Sequence, residues 1–307
     1  SPTKARKIQS YFNDGTIVKS SFGHIFDLPK SSLSIDTENN FKPNYQAIPG
    51  KEKIIKELYN YKKYNVLLAA DDDREGDAIA WHCGNLMKVD YSEKNRIIFH
   101  EISKKAILKS MENPTELNMN SVNAQQARRI IDRLIGFSLS PLLWKHIQTD
   151  KKGLSAGRVQ STLLSMLQDH EKSIKDFKPT IKNEIISECR YDTNKIMFFE
   201  FISEKSTDPH NPHKLLTLFQ KNKEFTLLKT EIKDEKKYPS LPFITSSLQQ
   251  SAFHELRFNV KKTMSVAQKL YENGKITYMR TDSHSISPDF QFQIRNFVIE
   301  SFGENYY

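Results

Sequence analysis

Cysteine is scarce. Cys83 and Cys189 are the only two in 307 residues, and their separation makes no CxxC pair. That argues against a disulfide framework and a thiolate zinc site, and a reducing compartment is expected. Long apolar runs are missing as well. None approaches the ~18 residues of a membrane span, and the opening "SPTKARKIQS" lacks the apolar centre of a signal peptide. A soluble, intracellular chain without a membrane partner is expected. There is no internal repeat, no long low-complexity tract and no GxxxxGK[ST] phosphate loop. Acidic charge is outweighed: 46 Lys and Arg against 37 Asp and Glu give +9 and a sequence pI near 9.2. A basic excess favours a polyanionic partner, because each neutralised phosphate releases condensed counterions.

The length suggests about two domains or more. "GTIVKSSFGHIFDLP" mixes β-branched and aromatic residues with Gly and Pro, which predicts short strands and turns. Ile54, Ile55, Leu58 and Tyr61 recur at helical spacing. "NVLLAA" then reads as a strand buried on both faces, and Ile79, Cys83 and Leu86 mark a helix after Gly76. Residues 121–178 read as helical, with stripes Ala127, Ile131, Leu134 and Val159, Leu163, Met166, His170, and with breaks at Gly136 and Gly153. From about 183 to 240 a period of two predicts strands carrying Met197, Phe199, Phe201 and Leu228, Thr230, Ile232. Between them His210 and His213 lie in a polar loop; a metal there would need further ligands. The last segment reads helix, turn, helix, strand. Ser246 with Gln249 resembles a capping box before Leu248, Ala252 and Leu256; Val266 and Leu270 lie on the next helix, and Gly274 caps it before "KITYMRTDS".

Chemistry concentrates in "LLAADDDREGDAIAWH". Asp71, Asp73 and Glu75 alternate where a strand meets a helix, the place at which ligands bind in open α/β sheets. Like charges so close raise each other's pKa unless a cation lies between them, and Mg²⁺ would relieve the repulsion while keeping waters for a phosphate. A solvated acidic turn is the plain alternative. The spacing does not fit a calcium-binding DxDxDG loop. Near the other end, strand alternation in "GKITYMRTDS" puts Tyr278 and Arg280 on one face. A phenol becomes a useful nucleophile when cations favour its phenolate, and a guanidinium binds phosphate bidentately. Packing alone also accounts for a tyrosine in a strand.

Seven stretches, "SPTKARKIQSYF", "VKSSFGHIFDLP", "LLAADDDREGDAIAWH", "FHEISKKAI", "NAQQARRIIDRLIGFSLSPLLW", "LSAGRVQS" and "ITYMRTDS", occur in the order found in type IA DNA topoisomerases. The chain resembles that family over nearly its whole length, least around 180 to 240. The resemblance implies a mixed α/β multidomain fold, with an N-terminal Toprim α/β domain plus helical and β-rich segments of a toroidal core. It implies a Toprim domain at 1–117, a helical single-strand DNA groove domain at 118–178, a β-rich arch segment at 179–240 and a helix-turn-helix-like domain with the active-site tyrosine at 241–307.

The family cuts one DNA strand with a tyrosine, holds the 5′ phosphate covalently, passes another strand and reseals, without ATP. The resemblance makes Tyr278 the nucleophile, and Arg280 and Lys4 the groups on the scissile phosphate. Asp71, Asp73 and Glu75 become ligands of Mg²⁺. Arg158 and Gln160, at a helix start that favours phosphate, resemble groove residues, as do Arg129 and Arg133, although Asp132 is available to pair with one of the latter. His24 falls in a matching motif, but a lone histidine is commonly structural; Trp81 and Phe99 read as core residues. Single-stranded regions and negatively supercoiled duplex DNA are the expected partners of a monomer. The family's opening motif has a glutamate directly before the residues matching Ser1-Pro2, and a histidine motif well after the tyrosine. The chain is therefore expected to be part of a longer enzyme, binding DNA while cleaving and resealing poorly. An idle single-strand binding module and a Toprim nuclease or primase are the competing functions.

Overall fold

The computed structural model describes residues 1–147, 153–179, 186–192, 195–200, 212–222, 224, 226 and 228–307. Contacts divide the chain into two compact units, Ser1–Thr162 with Ser240–Tyr307, and Leu163–Pro239. Together they make a mixed α/β multidomain chain dominated by helices. Among the described residues no helix is long and apolar enough to cross a membrane.

The first unit opens with α1 (Pro2–Gln9), followed by short strands β1 (Phe26–Asp27), β2 (Ile35–Asp36), β3 (Lys42–Pro43) and β4 (Gln46–Ala47). They pair antiparallel as β1 with β4 and β2 with β3. Helix α2 (Glu52–Tyr59) buries Leu58, with Ile54, Ile55 and Tyr61 packed against the same core. The predicted "NVLLAA" strand is reduced to one parallel bridge, Leu68 to Arg96. The reason is chemical: the Arg96 guanidinium takes the Ala70 and Asp71 carbonyls, both at 2.8 Å, in place of a neighbouring strand's N–H groups.

Helix α3 (Arg74–Met87) starts at once because Asp73 caps it, accepting the Gly76 N–H at 2.7 Å, while Glu75 and Asp77 favour the positive end of its dipole. Helix α4 (Lys104–Glu112) is capped by Ser103, and α5 (Met119–His146) by Asn118. Gly136 does not break α5, which runs 28 residues and also carries Pro141; one glycine costs only about 1 kcal/mol relative to alanine. Gly153, with φ +89°, lies between α5 and α6 (Arg158–Asp176). The predicted stripes do not face the core. Ala127 and Ile131 are exposed, as are Val159, Leu163, Met166 and His170. The contact face of α5 runs instead through buried Val122 and Gln125 to Arg129 and Arg133, so it turns from apolar to cationic partway along and apolar spacing misplaces it.

Two cores hold this unit. One packs Ile25 and Leu58 with Ala80, Cys83, Met87 and Val122. The other joins chain ends, packing Ile8 and Phe12 against Phe99, Ile102 and Ile107 and against Ala267, Tyr271, Tyr278 and Met279. Helix α8 (Thr245–Leu256) begins one residue before the predicted cap: Ser247, not Ser246, accepts the Ile244 N–H at 3.0 Å. Helix α9 (Val260–Glu272) is capped by Asn259 and buries Thr263, Ala267 and Tyr271, whereas Val266 and Leu270 are exposed. Gly274 does end α9, at φ +65°. "KITYMRTDS" is not a strand; the Tyr278 N–H bonds the His100 carbonyl at 2.8 Å, and the Thr245 N–H and hydroxyl hold Thr281. Helix α10 (Pro288–Phe302) follows.

In the second unit β5 (Ile186–Asp192) and β6 (Lys195–Glu200) form an antiparallel hairpin, in which Met197 faces Cys189 and Phe199 faces Ser187. Phe201 and His210 lie outside the described residues. His213 belongs to α7 (Pro212–Lys221), a helix the period-two reading missed. Leu228, Thr230 and Ile232 form no strand, and Leu228 and Ile232 are each 92% exposed. Alternation alone gives them no partner to pair with.

Candidate active site

The acidic junction and the tyrosine segment, two hundred residues apart in sequence, meet within the first unit. Arg96 fixes the junction from behind. It is 1% exposed, and besides the Ala70 and Asp71 carbonyls it bonds the Ile97 carbonyl at 2.8 Å and Asp77 Oδ1 at 3.1 Å. Gly76 then allows close approach, since a Cβ there would lie 2.1 Å from the Asp71 carbonyl oxygen.

Each carboxylate is aimed at its own partner. Asp71 Oδ1 accepts from Lys4 Nζ at 2.7 Å; Lys4 is 7% exposed, with its ammonium 4.7 Å from the centroid of the Phe99 ring. Asp73 works with both oxygens. Oδ1 caps α3, while Oδ2 accepts the Tyr278 hydroxyl and Arg280 Nη1, the latter at 3.1 Å. Glu75 Oε2 meets His24 Nε2 at 3.1 Å and accepts from Gln125 Nε2 at 3.2 Å. The neighbouring Asp72 pairs with His100 at 2.8 Å.

These contacts set the electrostatics. Burial, then the bond to Asp73, pushes the Tyr278 phenol above its usual range. Burial works the other way on Asp73, but bonds from Tyr278, the Gly76 N–H and Arg280 outweigh it and hold its carboxyl low. In this conformation Tyr278 is therefore a protonated donor. The expected activation of the phenol by cations requires Asp73 to give it up and positive charge to take its place. Beside Arg280 a cleft of about 460 Å³ is lined by Thr245, Ser246, Gln249, Thr281 and Asp282.

The donor chemistry of Asp71, Asp73 and Glu75 fits a hard divalent cation: carboxylates spaced two residues apart at the start of one helix. Their present partners are Lys4, Tyr278 with Arg280, and His24 with Gln125, so they do not converge. Among the described residues no group of three or more His, Cys, Asp or Glu side chains lies at metal-binding spacing.

Lys4, Asp71, Asp73, Tyr278 and Arg280 are thus brought together, with Glu75 on the same helix start. The other predicted residues are elsewhere and occupied. Arg129 forms a two-point pair with Asp27, and Arg133 donates to the Leu28 and Pro29 carbonyls. Asp132 pairs with neither, but with Arg158 Nε at 3.0 Å. Gln160 bonds the Ser155 carbonyl at 2.7 Å. The sequence reading gave His24 no role and passed over Gln125, Arg96 and His100. His24, His100 and Gln125 each carried one signal, a place in a matching motif, whereas Arg96 lies outside all seven. Phe99 is a core residue as expected, and Trp81 packs partly buried against the α3 core.

Comparison with known proteins then places the chain in a class. Residues 1–102 match the family model of the Toprim domain, and residues 116–307 match the model described as DNA topoisomerase. The chain belongs to the type IA DNA topoisomerase family. Its structure is similar to that of full-length topoisomerase I from Thermotoga maritima, with a TM-score of 0.85 and 40% identity, over 99% of this chain and 52% of that one. The chain thus spans about half the length of that relative.

Proposed function

We propose that this chain carries the cleavage and resealing centre of an ATP-independent topoisomerase that relaxes negatively supercoiled DNA through its single-stranded regions. The observation that carries the reading is the meeting of Tyr278 and Arg280 on one oxygen of Asp73. The Tyr278 oxygen attacks a backbone phosphorus, a P–O bond forms to the tyrosine and the P–O3′ bond breaks. The phenol gives up its proton and the departing 3′ oxygen takes one, leaving a 5′-phosphotyrosine. One phosphodiester replaces another, so the bond energy is kept for resealing. Arg280 and Lys4 supply positive charge to the phosphoryl oxygens. Asp71, Asp73 and Glu75 would hold Mg²⁺, which supplies charge for placing the 3′ hydroxyl during resealing. Arg158 and Gln160 border the strand's path in this reading, while Arg129 and Arg133 hold the Asp27, Leu28 and Pro29 segment in place; all four lie within a helical segment at 118–178 that follows a Toprim domain at 1–117. An arch segment at 179–240, carrying the β5–β6 hairpin and α7, and the tyrosine-bearing segment at 241–307 complete the division.

The test uses the longer enzyme containing this chain, negatively supercoiled plasmid, Mg²⁺ and 3′-end-labelled single-stranded DNA. Relaxation without ATP and label retained on the denatured protein are expected, both lost in Tyr278→Phe. Cleavage that survives Tyr278→Phe would point instead to a Toprim nuclease.

A further inference from the structure

Tyr271, in the last turn of α9, lies behind the acidic junction. It is fully buried; its ring meets that of Tyr278 edge to face with centroids 5.1 Å apart, and the Lys4 ammonium is 5.6 Å from its ring centroid. Its hydroxyl oxygen is nevertheless buried without a hydrogen bond. After burial itself, the strongest influences on that hydroxyl are the charge and the hydrogen-bonding pull of the Asp71 carboxylate, which Lys4 holds at 2.7 Å and which lies outside the reach of a formed hydrogen bond to Tyr271. A buried, unpaired hydroxyl is destabilising, and phenylalanine would fill the same space without it.

We propose that Tyr271 is a positioning residue whose hydroxyl becomes the partner of Asp71 when Lys4 turns from Asp71 to a DNA phosphate. This rests on the role proposed above for Lys4. The exchange keeps Asp71 oriented after its ammonium leaves, while the Tyr271 ring braces Tyr278 throughout.

The test is a thermal-unfolding cycle on the full chain with Tyr271→Phe, Lys4→Met and the double variant. Tyr271→Phe alone leaves Tm unchanged or raises it, because it removes an unbonded hydroxyl. In the Lys4→Met background the hydroxyl is bonded to Asp71, and Tyr271→Phe lowers Tm by about 2–4 °C. An equal effect in both backgrounds overturns the exchange. Saturating single-stranded DNA draws Lys4 away without a substitution and serves where Lys4→Met does not fold: the DNA-induced rise in Tm is then smaller for Tyr271→Phe than for wild type, and equal rises overturn the exchange. In the longer enzyme, Tyr271→Phe slows formation of the covalent adduct about tenfold with DNA affinity unchanged; an unaltered rate overturns the positioning role. If wild type itself forms no adduct, the proposed function fails while the thermal cycle still decides the exchange.

Discussion

Replacing Arg96 with methionine tests how the acidic junction is held. The guanidinium is almost wholly buried and serves Asp77 together with the Ala70, Asp71 and Ile97 carbonyls. Methionine fills much of the volume but leaves Asp77, itself 7% exposed, as a buried charge without its partner. Removing one member of a buried ion pair costs about 3–5 kcal/mol. With urea slopes of about 1–3 kcal/mol per molar, the unfolding midpoint falls by more than about 1 M. Fluorescence of Trp81, packed against the α3 core, reports the transition. Arg96→Lys keeps the charge but not the planar fork, and should fall between wild type and Arg96→Met. Adding Asp77→Leu to Arg96→Met restores the share of stability due to the lone charge, and what stays lost measures the carbonyl bonds. A loss below about 1 kcal/mol for Arg96→Met would refute the reasoning, because it would mean that water or the backbone satisfies these groups equally well.

Three further outcomes follow from the same geometry. Burial, then His24, pulls the His82 pKa from 6.5 to about 4, in a pocket shared with Phe26, Tyr45 and Trp81 and near Asp27, which opposes the shift. The unfolded chain therefore binds the extra proton first: stability is full above about pH 6.5 and falls by about 3 kcal/mol as pH drops to about 4. Denaturant curves across that range should show the slope in wild type and lose most of it in His82→Phe; an unchanged slope would place the proton uptake elsewhere. Gly76→Ala would gain up to about 1 kcal/mol in an ordinary helix. Here its Cβ meets the Asp71 carbonyl at 2.1 Å, so a loss of about 1–3 kcal/mol and a weaker response to Mg²⁺ are expected by thermal shift. Arg133→Met should lower stability through the Leu28 and Pro29 carbonyls yet leave single-stranded DNA affinity within about twofold in a fluorescence titration; a tenfold loss would show that Arg133 leaves these carbonyls for DNA.

Much of the chemistry was legible in the linear order of residues. The run Asp71, Asp73, Glu75 at a helix start needs only local rules, since a capping aspartate and acidic first-turn residues follow from unpaired N–H groups and the helix dipole. The motif around Tyr278 was equally local. The helices around Leu58 and Cys83 followed from apolar spacing, because each lies against one core. Tertiary structure decided what spacing cannot carry. The junction is pinned by a guanidinium rather than a sheet ladder. The working face of α5 passes from Val122 to Arg129 and Arg133, so a purely apolar stripe points the wrong way. That Lys4, Asp73, Tyr278 and Arg280 share a site depends on one core built from both ends of the first unit, Ile8 and Phe12 against Ala267, Tyr271 and Met279. Sequence determined which groups are present and that the acidic run falls where a helix begins; only long-range packing, which buries side chains regardless of their separation along the chain, decided which of them meet.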